Sequence, residues 1–227
     1  MIANDTTFQA ENETLKAYYA RPDGNGPFPA VLVIHEAYGL NDNIKDIARR
    51  FADQGYAAFA VDLFSNASRV MCMFRLFSGM QFNSLEHRGI RQLQAALNHL
   101  SSQPEIDGKQ IGAIGYCLGG GLAIALACAD NRLKAIAPYY GMNPRPLDAV
   151  KRACPVIGSY PKEDFTAQAG QALEMELDKN GIAHDIKIYD GAKHSFFNES
   201  GRAYNADAAQ DSWNRVLAFF EEHVKTQ

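Results

Sequence analysis

A cysteine lies between two glycines at a point where a buried strand is expected to turn into a helix. Cys117 is the central residue of segment 115–119, which follows the apolar run 111–114 and precedes a helical stretch of small residues. A nucleophile flanked by glycines between a strand and a helix is typical of a nucleophile elbow, in which a sharp turn holds the nucleophile in a strained backbone conformation. Cys117 is therefore the candidate nucleophile, acting through its thiolate.

Two other interpretations of this segment remain open at the level of the motif. Glycine-rich turns between a strand and a helix also bind phosphates. This one has no Gly-Lys-Ser/Thr ending, and Gly112, Gly115 and Gly119 do not have the G-x-G-x-x-G spacing. The cysteine could also be a small apolar filler in the turn. The motif favours a catalytic role for Cys117, and residues elsewhere in the chain are needed to distinguish the three interpretations.

Three further candidates each follow a predicted strand. Glu36 comes after residues 29–34, and Asp164 and His194 come shortly after two later apolar runs. In doubly wound sheets, functional residues gather at the carboxyl ends of the strands. The chain order of nucleophile, acid and histidine is that of the α/β-hydrolases. We expect His194 to take the thiol proton and Asp164 to hold the imidazole in the right tautomer.

Backbone groups complete the predicted site. The N–H groups of Leu118 and Ala37 are the natural oxyanion donors, since one follows the nucleophile and the other follows an earlier strand. Glu163 is an alternative to its neighbour Asp164 as the acidic member.

A metal site is not expected, because Gly39 occupies the position at which an H-E-x-x-H motif beginning at His35 would need its second histidine.

Short apolar runs alternate with longer amphipathic runs, which predicts β-α-β units and an α/β fold with a largely parallel sheet. We expect about seven to eight strands, flanked by helices on both faces. The predicted strands include residues 29–34, 56–64, 111–114, 133–140, 155–160 and 184–189. The predicted helices include a segment that begins near residue 41 and closes at residue 55, and residues 85–100, 167–179 and 206–223.

Composition indicates one α/β domain over residues 1–227, with 47% hydrophobic residues to form its core. A net charge of −4 gives no electrostatic case for nucleic acid or an anionic membrane as a partner. The start of the chain does not read as a signal peptide, and the four cysteines have no paired spacing. We therefore expect a cytoplasmic monomer that needs no cofactor and acts on a small molecule.

Segment 69–82 is too apolar and too irregular for a solvated loop. It contains four methionine and cysteine residues and four phenylalanine and leucine residues, and it lies between a strand end and the next helix. Methionine and phenylalanine suit adaptable apolar pockets, although such runs more often belong to the core. We expect packed core, a cover over the site, or both.

The chain resembles the dienelactone hydrolase family of the α/β-hydrolase superfamily over nearly its whole length. The residues that carry the resemblance are the segments 33–41, 60–64, 115–120, 139–141 and 194–197. The resemblance implies a triad of Cys117, Asp164 and His194, and it implies that Glu36 accepts or shuttles the thiol proton. The implied reaction is hydrolysis of an ester or enol lactone through an acyl-enzyme. The candidate substrate-binding residues are Tyr140, Arg75, Phe196 and Asn198.

One departure from the family separates the enzyme class from the named substrate. Family members that open dienelactone hold the substrate carboxylate with arginines, one of them four residues after the catalytic histidine, and Asn198 stands at that position here. Losing a bidentate arginine weakens the recognition of a carboxylate. The alternatives are a general carboxylesterase or thioesterase for small neutral acyl groups, and a non-catalytic member. A redox role for Cys117 is the weakest, since no resolving cysteine lies nearby in sequence.

Overall fold

A computed structural model describes residues 1–65 and 68–225 as an eight-stranded sheet covered by helices on both faces. The spatial order is β1-β2-β4-β3-β5-β6-β7-β8, and every pair from β4 to β8 is parallel. The predicted α/β fold is confirmed. The strands are β1 (Ile2–Ala10), β2 (Glu13–Arg21), β3 (Phe28–Ile34), β4 (Ala57–Val61), β5 (Ile106–Tyr116), β6 (Leu133–Tyr139), β7 (Val156–Pro161) and β8 (His184–Tyr189).

The helices divide between the two faces. Residues of α3, α4 and α5 pack in one core, together with the buried Leu76 of α2, and residues of α1 and α6 pack in the other. The helices are α1 (Asp42–Asp53), α2 (Arg69–Phe82), α3 (Arg88–Ser101), α4 (Leu118–Ala129), α5 (Ala167–Lys179) and α6 (Ala206–Phe220), with a 3₁₀ turn at Leu147–Arg152 and a π turn at Glu221–Lys225.

Strand β3 shows why both faces need a helical layer. Leu32 and Ile34 pack into one core, whereas Val31 and Val33 pack into the other. A strand that is buried on both sides reads as a continuous apolar run, as residues 29–34 do. From β3 the chain moves outward to β4 and then returns across the sheet to β5, so that β3 and β5 are neighbours. Ligands bind outside the carboxyl ends of such strands, at the point where the order reverses.

Glycines allow α4 to approach the sheet at this point. A Cβ on Gly119 would lie 2.3 Å from the carbonyl oxygen of Ile34, and one on Gly120 would lie 2.6 Å from that of Tyr139. A Cβ on Gly115 would lie 2.0 Å from the carbonyl oxygen of Gly119. Each distance is too short for a methyl group, so the tight turn between β5 and α4 requires these glycines.

The structure differs from the predicted elements in several places, and β5 and α3 begin at Ile106 and Arg88 where residues 111 and 85 were predicted. The antiparallel β1–β2 hairpin was not expected, because β1 is exposed over most of its length and lacks an apolar pattern. Strand β4 is shorter than the predicted 56–64. Segment 69–82 forms the single helix α2, whose inner side packs against the core while other side chains remain exposed. Among the described residues, no helix is long and apolar enough to cross a membrane.

Candidate active site

Cys117 occupies the apex of the turn between β5 and α4. Its backbone has φ +54° and ψ −113°, in the left-handed half of the map that residues other than glycine rarely adopt. Two backbone hydrogen bonds hold it there: Cys117 N–H donates to the Tyr139 carbonyl at 3.0 Å, and Gly121 N–H donates to the Cys117 carbonyl at 3.2 Å. This strained geometry is what a nucleophile elbow requires.

The thiol lies at the two predicted oxyanion donors. The backbone N–H groups of Leu118 and Ala37 lie at the sulfur and favour the thiolate. Burial has the larger effect, and together with the carboxylates of Glu36 and Asp164 it raises the pKa of the Cys117 thiol to about 11. The resting nucleophile is therefore a protonated thiol at neutral pH.

His194 and Asp164 form a hydrogen-bonded pair beside the elbow. The Nδ1 atom of His194 lies 2.6 Å from Oδ2 of Asp164, and the Thr166 hydroxyl donates to the same oxygen at 2.6 Å. Because a carboxylate accepts, Nδ1 carries the proton and Nε2 is left for chemistry. The structure thus brings Asp164 to the histidine, whereas the neighbouring Glu163 is exposed.

Two aromatic rings fix the plane of the His194 imidazole. Phe165 stacks on it with ring centroids 5.3 Å apart and an interplanar angle of 17°, and Tyr140 packs at 5.0 Å. The Tyr140 ring is buried, whereas Phe165 is 70% exposed. The imidazole therefore has a rigid inner support and an outer aromatic cover that faces solvent.

Glu36 is buried and held by two neutral donors. The Ser195 hydroxyl donates to Glu36 Oε2 at 2.8 Å, and the Asn198 amide donates to Oε1 at 2.6 Å. Both donors come from the loop that carries His194, so Glu36 joins the loop after β3 to the histidine loop. Burial is the largest influence and raises the pKa of Glu36, while the two hydrogen bonds and the nearby His194 ring offset part of this rise.

His35 holds the loop that carries Glu36. Its ring is fully buried, with Leu63 N–H donating to Nε2 at 3.0 Å and Nδ1 2.7 Å from the Glu36 carbonyl oxygen. These partners require a neutral ring with the proton on Nδ1. Burial lowers the pKa of His35 and favours the same neutral form. His35 is therefore a positioning residue for Glu36 and Ala37.

Backbone strain is concentrated at the site. Among the described residues, four that are not glycine have φ in the left-handed region, and three of them are Cys117, Tyr140 and Ser195. Each lies directly at a group discussed above. Strained residues of this kind persist where the surrounding structure fixes them, and they cluster at functional sites.

The predicted substrate-binding residues lie elsewhere than expected. Tyr140 and Asn198 are buried and support His194 and Glu36. Phe196 is fully buried against Tyr139, Tyr140 and Tyr189, so it packs behind the site and cannot reach a ligand. Phe196 and Asn198 both turn inward from the histidine loop, and sequence alone does not tell which side of that loop faces the core.

Arg75 is also not brought to the site. It lines a cavity with Leu15, Leu63 and Arg88, on the side of α2 that faces β2 and α3. No hydrogen bond or ion pair joins its guanidinium to the catalytic candidates in the described part of the chain. The prediction of a substrate contact is therefore wrong for Phe196, whose ring is fully buried, whereas for Arg75 it stays a prediction that its place in this cavity does not support.

Sequence reasoning missed the residues that orient the candidates. Thr166, Ser195 and His35 act through hydrogen bonds, and Phe165 acts through ring stacking. Their only sequence signal is proximity, since each lies within two residues of a candidate. Over residues 1–65 and 68–225, no group of three or more His, Cys, Asp or Glu side chains is arranged to hold a metal ion.

Comparison with known proteins shows the family to which the chain is similar. Residues 15–224 match the profile of the Dienelactone hydrolase family. A Saccharolobus solfataricus protein with the provisional name carboxymethylenebutenolidase is 34% identical, over 96% of this chain and 98% of its own.

Solved structures give the same picture. The crystal structure of a dienelactone hydrolase-like promiscuous phosphotriesterase from metagenomic libraries has a TM-score of 0.86 and is 27% identical, covering 98% of both chains. The acylaminoacyl peptidase of Pyrococcus horikoshii has a TM-score of 0.79 over 99% of this chain and 42% of its own. At 15% identity, that last similarity shows a shared fold alone.

Proposed function

Because the chain belongs to the dienelactone hydrolase family of the α/β-hydrolase superfamily and is a hydrolase of ester bonds, we propose that it cleaves a small ester or enol lactone through an acyl-enzyme on Cys117. The observation that carries the proposal is the strained Cys117 at the elbow, beside the hydrogen-bonded pair of His194 and Asp164. A thiol, an oriented imidazole and two converging N–H groups are the parts that acyl transfer needs.

The first step is activation of the thiol. The sulfur and the substrate's carbonyl oxygen compete for the N–H groups of Leu118 and Ala37, so the thiol turns away from these donors when substrate binds. His194 Nε2 then takes the proton, and Asp164 stabilises the imidazolium that results. Because the resting pKa is about 11, the thiolate forms only with this assistance.

The thiolate then attacks the carbonyl carbon. A carbon–sulfur bond forms, and the carbonyl oxygen becomes an oxyanion held by the N–H groups of Leu118 and Ala37. Collapse of this intermediate breaks the bond to the leaving alkoxide, which takes the proton from His194. In a lactone the alkoxide stays attached to the acyl group, so ring opening leaves one product chain on Cys117.

Hydrolysis of the acyl-enzyme completes the cycle. His194 removes a proton from water, the hydroxide adds to the thioester carbon, and the carbon–sulfur bond breaks to release the acid. The proton that His194 took from water must then reach the departing sulfur, and Glu36, which acts on the thiol and has a raised pKa, shuttles it there. Its burial keeps this exchange away from bulk water.

The second candidate function is a general carboxylesterase or thioesterase for neutral acyl groups. It is favoured by one observation: Glu36 is held by Ser195 and Asn198 and not by an arginine that could also hold a substrate carboxylate. Dienelactone therefore stays one candidate substrate among small esters and lactones. A comparison of kcat/KM for dienelactone and a linear neutral ester separates the two.

We also propose that the protein acts as a cytoplasmic monomer. The cytoplasmic location is supported by the free cysteines, because a reducing compartment keeps Cys117 available as a thiol. Light scattering on the purified protein tests the monomer, and a tetramer or dimer at micromolar concentration would contradict it.

Variant kinetics test the proposed mechanism. With a p-nitrophenyl ester as substrate, we expect Cys117→Ala and His194→Ala each to lower kcat/KM by about a thousandfold or more, because residues of a triad act as a unit. Asp164→Asn is expected to lose about a hundredfold or more through the wrong tautomer. Cys154→Ala is the matched control, since that thiol lies before β7, away from the elbow.

The outcomes of these assays divide cleanly. Full activity in Cys154→Ala with loss in Cys117→Ala supports cysteine catalysis. Equal activity in wild type and Cys117→Ala would contradict it, and no turnover of any ester by folded wild-type protein would favour a non-catalytic member.

A further inference from the structure

Exposed apolar side chains surround the mouth of the candidate site. Tyr38 follows the oxyanion donor Ala37, Phe165 covers His194, and Met142 lies beside the first turn of α4; all three are exposed. Large apolar groups that share one surface region mark binding sites more often than chance exposure does. What they surround here is the carboxyl edge of the sheet, where Cys117 lies.

Helix α2 spans the same edge and is anchored at both ends. Near its start, Arg69 Nη1 contacts the Tyr38 carbonyl oxygen at 3.5 Å. Near its end, the Met80 methyl carbon packs against Gly121, so close that it would lie 2.5 Å from a Cβ placed on that glycine. Tyr38 is next to an oxyanion donor, and Gly121 is hydrogen-bonded to Cys117. The helix therefore runs past the nucleophile from one side to the other.

The two anchors define which face of α2 is turned to the site. Arg69 and Met80 are eleven residues apart, which is about three helical turns, so they share a face. Met73 lies between them on that face and is partly buried, whereas Leu76 packs against Gly89 of α3 and lines the cavity that also contains Arg75. Phe82 lies on the opposite side and is 86% exposed. The face toward the site is therefore apolar between its two anchors.

The charges around the nucleophile are negative. Glu36 and Asp164 both act on the Cys117 thiol, and the hydrogen-bond partners of Glu36 are neutral. Arg50, which is the basic residue beneath the histidine loop, faces Glu199 at 3.4 Å and lies over the Trp213 ring at 4.3 Å. Arg69 is held at the outer end of α2 by its contact with a backbone carbonyl.

We propose that the acyl group of the substrate is uncharged and apolar, and that Met73 and Met80 of α2 contact it. This rests on the proposed acyl-enzyme function and names the substrate class for it. A substrate carboxylate would enter beside the carboxylates of Glu36 and Asp164, and the repulsion between like charges in a desolvated site disfavours its binding. An alkyl or aryl group would instead bury apolar surface against flexible thioether side chains.

A pair of esters that differ only in the acyl terminus tests this. p-Nitrophenyl valerate ends in a methyl group, and the mono-p-nitrophenyl ester of glutaric acid has the same chain length and ends in a carboxylate. We expect kcat/KM for the valerate to be higher by about thirtyfold or more at neutral pH. Equal values, or a preference for the glutarate, would overturn the proposal.

The two esters distinguish a wrong substrate class from a wrong proposed function. If neither ester is hydrolysed and Cys117 is not acylated by either, the proposed function fails. If both acylate Cys117 and the glutarate reacts faster, only the substrate class is wrong. Loss of that glutarate preference in Arg69→Gln would then identify Arg69 as a carboxylate-binding residue.

A charge placed on α2 tests the contact with the acyl group. We expect Met73→Arg to lower the ratio of kcat/KM for valerate to kcat/KM for glutarate by about tenfold, because the arginine supplies a charge partner for the glutarate carboxylate. Phe82→Arg adds the same charge on the opposite, exposed face and should leave the ratio unchanged. Equal effects of the two variants would refute the assignment of Met73. The wild-type comparison stands even if Met73→Arg does not fold.

Discussion

At Cys117, the surroundings that suit acyl transfer also keep the nucleophile protonated at rest. Burial and two carboxylates raise the pKa of the thiol to about 11, and the N–H groups of Leu118 and Ala37 only partly oppose them. Of these two carboxylates, Glu36 has the larger effect on the pKa of the thiol. A thiol that is inert until substrate binds is protected against oxidation and alkylation, because the thiolate is the reactive form.

A titration of the thiol tests this balance. Replacing Glu36 with glutamine removes a carboxylate whose negative charge opposes the thiolate. We therefore expect Glu36→Gln to lower the pKa of Cys117 from about 11, and the rate of alkylation by iodoacetamide at pH 9 to rise roughly threefold to tenfold.

Glu163→Gln is the matched control, because that carboxylate is exposed and does not act on the thiol. An alkylation profile for Glu36→Gln that coincides with wild type, or shifts to higher pH, would show that Glu36 does not set the thiol pKa.

At the scale of elements, the turn between β5 and α4 determines the geometry of the site. Helix α4 approaches β3 so closely that the Cα of Gly119 faces the carbonyl oxygens of Ile34 and His35. This approach places Leu118 N–H and Ala37 N–H at one sulfur. The oxyanion hole is therefore a consequence of helix packing on the sheet.

A methyl group at Gly119 should push α4 away from β3. Its Cβ would lie 2.3 Å from the Ile34 oxygen and 2.7 Å from the His35 oxygen, and neither backbone group can move freely. We expect Gly119→Ala to lower the free energy of unfolding by about 2 to 3 kcal/mol, measured by urea titration, and to lower kcat with it.

Gly108→Ala is the control for this substitution. Its Cβ would meet its nearest neighbour at 3.4 Å, an ordinary contact, so the change in stability should stay within about 0.5 kcal/mol. If the two variants unfold at the same urea concentration, the close approach at Gly119 does not constrain the elbow.

For the whole molecule, the sequence predicts the parts of the fold that repeat a pattern. The apolar run of β3, the alternating pattern of β8, the amphipathic α5 and the glycine turn at Cys117 can all be recognised in the sequence. The positions of Glu36, Asp164 and His194 follow from the same logic, since parallel strands bring their carboxyl ends to one edge. The structure confirms the fold, and it brings these side chains together.

What the sequence could not predict depends on long-range contacts. The β1–β2 hairpin has little apolar pattern, and its turn uses Glu11 in the left-handed region where a glycine would have been a signal. Phe196 and Asn198 turn inward because the histidine loop packs on Glu36 and on buried tyrosines. Helix α2 has no clean periodicity because Leu76 packs into the core while Phe74 and Phe77 are exposed to solvent.

Intact-protein mass spectrometry shows whether Cys117 carries the acyl group during turnover. The protein is mixed with p-nitrophenyl valerate and quenched in acid within the first turnovers. Its intact mass is then compared with that of Cys117→Ala treated in the same way. We predict one valeryl group on the wild-type protein, located at Cys117 by peptide mapping, and none on the variant. Steady turnover with an unmodified mass, or the same adduct on Cys117→Ala, would contradict the account.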